Sequence, residues 1–226
     1  MEPVVHLREA ISLHGGFPVL AGVDLDVAAG EIVHVSGPNG AGKTSLLQVC
    51  AGLLRLAGGE AVVLGHDLRR DRRAVRRHVG LLAHETFLYD DLTVTQNVQF
   101  WTRAARADLD DASAALRRLD LDGRLADVPV GKLSAGQRRR TSLAVMLARR
   151  PRLWLLDEPH AGLDKAGRDV VDELIGHAAE AGATVLVASH ELERAVGLGW
   201  RKVTVAGGVV VADTAVPTEP EVAHVP

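Results

Sequence analysis

Gly37-Pro38-Asn39-Gly40-Ala41-Gly42-Lys43-Thr44 is the stretch from which the rest of this chain is read. It fits G-x-x-x-x-G-K-[ST] at every fixed position. A short apolar run at 32–36 precedes it, and Leu46, Leu47, Cys50, Leu53 and Leu54 follow at helical spacing. A glycine-rich loop between a strand and a helix is the setting in which this pattern cradles phosphate. Glycines let backbone N–H groups turn inward around phosphate oxygens, and the helix N-terminus adds a partial positive charge. Lys43 is therefore expected to reach the β- and γ-phosphates of a nucleotide, and the Thr44 hydroxyl to ligate Mg2+. Gly37 to Ser45 together form the expected binding loop, with Pro38, Asn39, Gly40, Ala41 and Gly42 supplying backbone. A glycine-rich turn that matches by chance is the alternative, and the flanking strand and helix count against it.

Such a site needs a carboxylate at a strand end. Leu153-Trp154-Leu155-Leu156-Asp157 supplies one, with Glu158 next. Asp157 is expected to hold Mg2+ and its waters, and Glu158 to act as general base on the attacking water. Two acids after an apolar run would otherwise read as a strand ending in a solvated turn; the phosphate loop upstream reverses that preference.

Outward from these two motifs, strand-like and helix-like segments alternate. Strands are expected at 60–65, 79–83 and 184–188, and helices at 44–54, 136–150 and 169–181. Val203–Val205 and Val209–Val211 flank Gly207-Gly208, which reads as a hairpin. Apolar strands alternating with helices predict a mainly parallel sheet covered on both faces. The mostly helical block 86–131 interrupts the alternation and reads as an insertion. The last residues, 214–226, carry three prolines and two glutamates with few large apolar groups, and are expected to form a flexible tail.

Composition narrows the functional classes. The chain has 226 residues, 47% hydrophobic and 24% charged, which suits one large folded domain or two small ones. A net charge of −3 argues against a general nucleic-acid binder. The single cysteine, Cys50, excludes a disulfide framework within the chain and any cysteine-based metal cluster, and points to a reducing compartment. No segment approaches the roughly 18–20 apolar residues of a membrane helix. Met1-Glu2-Pro3 opens without a basic region or an apolar signal core.

Leu133-Ser134-Ala135-Gly136-Gln137, between the phosphate loop and Asp157, resembles the signature motif of ABC ATPases. Gly162-Leu163-Asp164 resembles their D-loop, and His190, after the strand at 184–188, resembles their switch histidine. The five motifs occur in the family's order and cover almost the whole chain. The resemblance implies a P-loop NTPase fold of the α/β class: a RecA-like parallel-sheet core, an N-terminal antiparallel β subdomain and an inserted α-helical subdomain. It places a nucleotide-binding domain at 1–213, with 86–131 as the helical subdomain. It implies ATP and Mg2+ as ligands and a head-to-tail homodimer enclosing two ATP molecules. Ser134, Gly136 and Gln137 are then expected to contact ATP bound to the other copy, and His190 to contact the γ-phosphate and orient the water. Ser134 also reads as an ordinary helix N-cap. His34 and His66 lack such context and read as structural.

Departures from the family pattern are informative. His84 stands where a glutamine is usual; an imidazole there can also ligate Mg2+ or accept a hydrogen bond. The adenine-stacking position falls on His14 or on Phe17, the better stacking group. His84, the Leu92-Thr93 step, Asn97 to Trp101, Leu153-Trp154, Val128-Pro129-Val130 and the arginines Arg138, Arg139 and Arg140 resemble the ATPase subunits of the cytochrome c maturation (haem exporter) subfamily. That resemblance implies integral membrane permease subunits as partners, a place at the cytoplasmic face of the cell membrane, and no nucleic acid. Phe87, Leu88, Tyr89 and Trp101 are candidates for a groove that grips a coupling helix of the membrane subunit, or else for subdomain core. Another exporter of lipid, drug or polysaccharide, and more distantly a soluble ABC ATPase acting on nucleic acid or ribosomes, are the competing readings.

Overall fold

The computed structural model describes residues 2–83, 86–190 and 200–215. Two sheets form its frame. The first is antiparallel, in the order β2-β1-β4-β5, from β1 (Val5–His14), β2 (Phe17–Val27), β4 (Leu56–Val63) and β5 (His66–Asp67). The second has the order β10-β9-β3-β8-β7-β6. Its members are β3 (Ile32–Ser36), β6 (Val79–Leu82), β7 (Leu153–Asp157), β8 (Thr184–Ala188), β9 (Arg201–Ala206) and β10 (Val209–Asp213). All its pairings are parallel except β9 with β10, which close on Gly207 and Gly208 at φ 57° and 80°. Positive φ at both positions is what a two-residue hairpin with this twist requires.

The central strands are apolar throughout because both of their faces are covered. Successive side chains point to opposite faces. Leu153 and Leu155 of β7, with Leu186 and Ala188 of β8, enter a core shared with α1 (Lys43–Cys50) and the antiparallel sheet. Trp154 and Leu156, with Val185 and Val187, enter a second core on the other face. That second core holds α5 (Ala135–Arg149), α6 (Lys165–Glu180) and the helices of the inserted block, α3 (Val94–Ala104) and α4 (Leu109–Arg118). Thus α1 lies between the two sheets, and the insertion packs through α5 onto the parallel sheet. A short helix, α2 (Leu68–Asp71), follows β5.

Most expected elements are present with moved ends. The helix expected at 44–54 stops at Cys50, where Gly52 turns the chain at φ 65°. The strand expected at 60–65 starts earlier, at Leu56, and ends at Val63 before Leu64 and Gly65, both at positive φ. The helix expected at 169–181 starts at Lys165, because the Asp164 side chain caps it by accepting from the Gly167 N–H at 2.8 Å. Block 86–131 is helical in two pieces, α3 and α4, with a short 3-10 turn at Gly123–Leu125. Of the tail expected at 214–226, residues 216–226 lie outside the described residues, as does His84. No helix among the described residues is long and apolar enough to cross a membrane.

Candidate nucleotide-binding site

The phosphate loop leaves β3 at Ser36 and enters α1 at Lys43. Its glycines are there for backbone reasons: Gly37, Gly40 and Gly42 have φ of 142°, 77° and 107°. Gly42 caps α1 without a side-chain hydrogen bond, and the first turn of that helix carries no acid. Its N–H groups are therefore left for an anion, and the positive end of the helix dipole is not offset. The Lys43 ammonium lies over this loop, donating to the carbonyls of Gly37 at 2.8 Å and Pro38 at 3.1 Å.

Parallel pairing of β7 beside β8 brings Asp157 to the end of the sheet next to the loop. The Thr44 hydroxyl donates to Asp157 Oδ2 at 2.7 Å. These are two hard oxygen donors side by side, the donor set that suits Mg2+. Among the described residues no group of three or more His, Cys, Asp or Glu side chains is placed to hold a metal. A cation here would take its remaining ligands from water and phosphate, the habit of Mg2+ at nucleotide sites.

Glu158 follows Asp157 with φ 46°, a left-handed conformation uncommon for residues with a side chain. Its N–H still donates to the Ala188 carbonyl at 2.8 Å, so the turn begins at the very end of the ladder. Its carboxylate Oε2 lies 2.9 Å from His190 Nδ1. The two expected catalytic side chains, 32 residues apart in sequence, thus form a pair beside Asp157. His34, one strand in from the edge of this site, is buried, and its Nε2 lies 3.1 Å from the Ser189 carbonyl oxygen. Burial holds its pKa below the ordinary histidine value. Through Ser189 it anchors the segment that carries His190.

Phe17 is 77% exposed at the start of β2 and pairs with His14 across the Gly15-Gly16 turn. Strand β2 runs past the loop: a Cβ at Gly42 would lie 2.7 Å from the Val19 carbonyl oxygen. The exposed ring therefore stands on the strand that borders the phosphate loop, and His14 stands beside it.

The signature occupies a different face. Ser134 caps α5 in a reciprocal box: its Oγ accepts from the Gln137 N–H at 3.2 Å, and Gln137 Oε1 accepts from the Ser134 N–H at 2.9 Å. Gly136 packs on the turn after Glu158, where a Cβ would lie 3.3 Å from the Gly162 carbonyl oxygen. Ser134, Gly136 and Gln137 line a 590 Å3 concavity with Gly162 and Asp164, and no residue of 37–45 lines it. The structure therefore brings Lys43, Thr44, Asp157, Glu158 and His190 together and sets the signature apart from them.

One buried residue of this region was read from sequence only as part of an arginine-rich run. Residues 138–140 lie 100° apart around α5, so the three arginines reach three neighbours. Arg138 pairs with Asp90 at 2.6 Å, and Arg140 donates to the Leu119 carbonyl at 3.3 Å. Arg139 turns inward. It donates to the carbonyls of Ala83 and Asp157, both at 2.6 Å, to that of Glu158, and to that of Pro159 at 3.4 Å. Burial in this seat lowers its pKa. Its partners are backbone groups distant in sequence, which no motif announces.

The pattern of the ABC transporter family matches residues 20–161. Among curated relatives, the cytochrome c biogenesis ATP-binding export protein CcmA of Bradyrhizobium diazoefficiens is 38% identical over 200 residues, 88% of this chain and 96% of that protein. The protein of the same name from Rhodopseudomonas palustris is 41% identical over 195 residues, 86% of this chain and 94% of its own length. A solved dimeric ATP-binding cassette in a post-hydrolysis state, bound to ADP and Pi, superposes with a TM-score of 0.83 at 26% identity, covering 92% of this chain and 97% of that one. With the phosphate loop, the Asp157–Glu158 strand end and the capped signature helix in place, these likenesses show that the chain belongs to the ABC transporter family.

Proposed function

We propose that this ABC ATPase subunit powers haem export in cytochrome c biogenesis, through membrane-spanning partner subunits at the cytoplasmic face of the membrane. The cytochrome c biogenesis and export role is supported by the names of its relatives over most of both chains, and haem is our reading of the exported group. The catalytic roles are supported above all by one observation: Asp157 meets Thr44 while its neighbour Glu158 meets His190. The group that holds the cation and the group that takes the proton are thereby adjacent on one strand end.

In this reading the loop N–H groups and Lys43 bind the ATP phosphates, and Phe17 or His14 stacks on adenine. The Thr44 hydroxyl and the Asp157 carboxylate would hold Mg2+, which would neutralise charge on the phosphates; His84 is the further candidate ligand. Glu158 takes a proton from the attacking water, and His190 fixes that water and the γ-phosphate. Ser134 supports a role across a dimer: its oxygen accepts from within the capping box, and its O–H remains to donate to a phosphate of the second copy's ATP. Closure of two copies on two ATP molecules would then bias the membrane partner between conformations, and hydrolysis would release them.

The groove expected to hold a coupling helix is supported by an aromatic patch. Tyr89, Phe100 and Trp101 pack with ring centroids 5.0–6.0 Å apart, and Phe87 is 53% exposed. Phe87, Leu88 and Trp101 line a 380 Å3 cavity with Met146 and Arg149.

Substitution of the base tests the reading. Glu158→Gln is expected to keep ATP binding, lose at least about 100-fold in turnover, and trap an ATP-bound dimer in size-exclusion chromatography. Lys43→Ala is expected to lose ATP binding. Wild-type turnover in Glu158→Gln would remove Glu158 from the role of base. Tagged Glu158→Gln, locked with ATP and recovered from native membranes, is expected to bring down membrane subunits with cytochrome c assembly factors. Recovery of a different permease would discard the haem role and keep the ATPase.

A further inference from the structure

Three consecutive carbonyls, those of Asp157, Glu158 and Pro159, converge on the buried guanidinium of Arg139. Consecutive carbonyls of a regular strand point in alternate directions. Here the left-handed backbone of Glu158, at φ 46°, interrupts that alternation, and all three carbonyls meet Arg139. Arg139 is 6% exposed, and its guanidinium donates to four carbonyl oxygens; these, with the nearby charges of Asp157 and Glu158, offset the cost of its burial. A planar fork with five donors can serve four diverging carbonyls, where an ammonium with three donors serves fewer.

We propose that Arg139 is a positioning residue for ATP hydrolysis: it holds the Glu158 backbone in its left-handed turn, aims the carboxylate at the attacking water, and ties that setting to the helix that opens with the signature. The inference rests on the ATPase reading above and adds a residue and a route to it. Arg139 lies five residues after Ser134 on α5, roughly 7.5 Å along the helix axis. A movement of the α5 N-terminus toward the second copy's nucleotide therefore reaches Glu158 through one rigid turn of helix and one side chain. The fourth bond, to Ala83 at the end of β6, adds the neighbouring strand to the same clamp.

Turnover, ATP affinity and amide hydrogen exchange by mass spectrometry, measured on the full-length wild type, Arg139→Met and Arg139→Lys, test this. Arg139→Met is expected to lose at least about tenfold in kcat, the scale of one charged hydrogen bond, with ATP Kd changed less than about twofold. Exchange in a peptide over 157–161 is expected to rise by about tenfold or more, while a peptide over 37–44 is unchanged. Arg139→Lys is expected to recover part of kcat, because its ammonium still enters the carbonyl seat. A parallel loss of kcat and ATP affinity, with exchange rising at 37–44 as well, would show general loosening and overturn the proposal. So would an unchanged kcat in Arg139→Met. Should Arg139→Met not fold, Arg139→Lys carries the same comparison of kcat, Kd and local exchange. Absence of turnover in the wild type would refute the ATPase reading itself, and exchange at 157–161 would still decide whether Arg139 holds Glu158.

Discussion

At Gly37 a Cβ would lie 2.1 Å from the Val205 carbonyl oxygen, and the backbone sits at φ 142°. The phosphate loop leaves β3 this close to β9 only because Gly37 has no side chain. Gly40, three residues on, has open space around a built Cβ and only its φ of 77° to resist substitution. Gly37→Ala is therefore expected to cost on the order of 3 kcal/mol by displacing backbone, or about 6–12 °C in Tm for a chain of this size. Gly40→Ala should cost only the left-handed penalty of about 1 kcal/mol. Thermal unfolding of both nucleotide-free variants checks the difference, and equal losses would contradict the close approach at Gly37. The glycines of this loop, Lys43 and Thr44 were legible in sequence because phosphate chemistry fixes their spacing, and the Asp157–Glu158 step because an apolar run ends there in a chain that carries this loop. Arg139 was not, since its four acceptors are backbone oxygens from two distant segments. The link from His34 to Ser189 was hidden in the same way, by 155 residues of separation.

Two helices begin with the same reciprocal cap. Thr93 with Gln96 opens α3, and Ser134 with Gln137 opens α5, each pair joined by hydrogen bonds of 2.9 and 3.2 Å. Removing either cap should destabilise by about 1 kcal/mol. Function should separate them. Thr93→Ala is expected to leave turnover near wild type, whereas Ser134→Ala removes an O–H proposed to meet the second copy's ATP and should weaken dimer formation and turnover about tenfold. Equal turnover in the two variants, at matched stability, would reduce Ser134 to a cap. Elements with an uninterrupted period, such as β7, β8 and α5, were readable to within a few residues. Of the antiparallel sheet, β4 was read from its own apolar run, and the antiparallel arrangement came only through the family resemblance. Strand β1 breaks its alternation: its pairing with β2 shifts register between Leu7 and Ala10, and Glu9 there has φ 45°. A bulge moves later side chains to the opposite face and erases the period-2 signal.

At the scale of the molecule, the two sheets are stapled by Arg201. Its guanidinium holds Asp213 of β10 through bonds of 2.8 and 2.5 Å, reaches both oxygens of Glu31 before β3 at 3.0 Å, and donates to the Asp26 carbonyl of β2 at 2.9 Å. The hydrogen bonds from Arg201 hold the Asp213 carboxyl below its ordinary pKa, and those from Arg8 and His6 do so for Asp26 against the cost of its partial burial. A carboxylate whose folded pKa is depressed stabilises the fold above its unfolded value, 3.8 here, and that contribution is lost as pH falls through the folded value. His34 acts in the same direction from a higher pH. Burial depresses its folded pKa, so below its ordinary value of 6.5 the unfolded chain binds a proton that the folded chain resists. His78 adds to this, its pKa lowered by burial and by the neighbouring arginines Arg152 and Arg77. Stability is thus expected to decline from about pH 6.5 downward and to fall more steeply below about pH 4 as Asp213 and Asp26 protonate. Tm measured from pH 8 to pH 3 checks the shape of the curve. In Asp213→Asn the neutral-pH stability should be lower and the acid limb flatter, because the titrating partner is gone while Arg201 stays buried. An acid limb as steep as in the wild type would show that acid sensitivity resides elsewhere than in this junction of the two sheets.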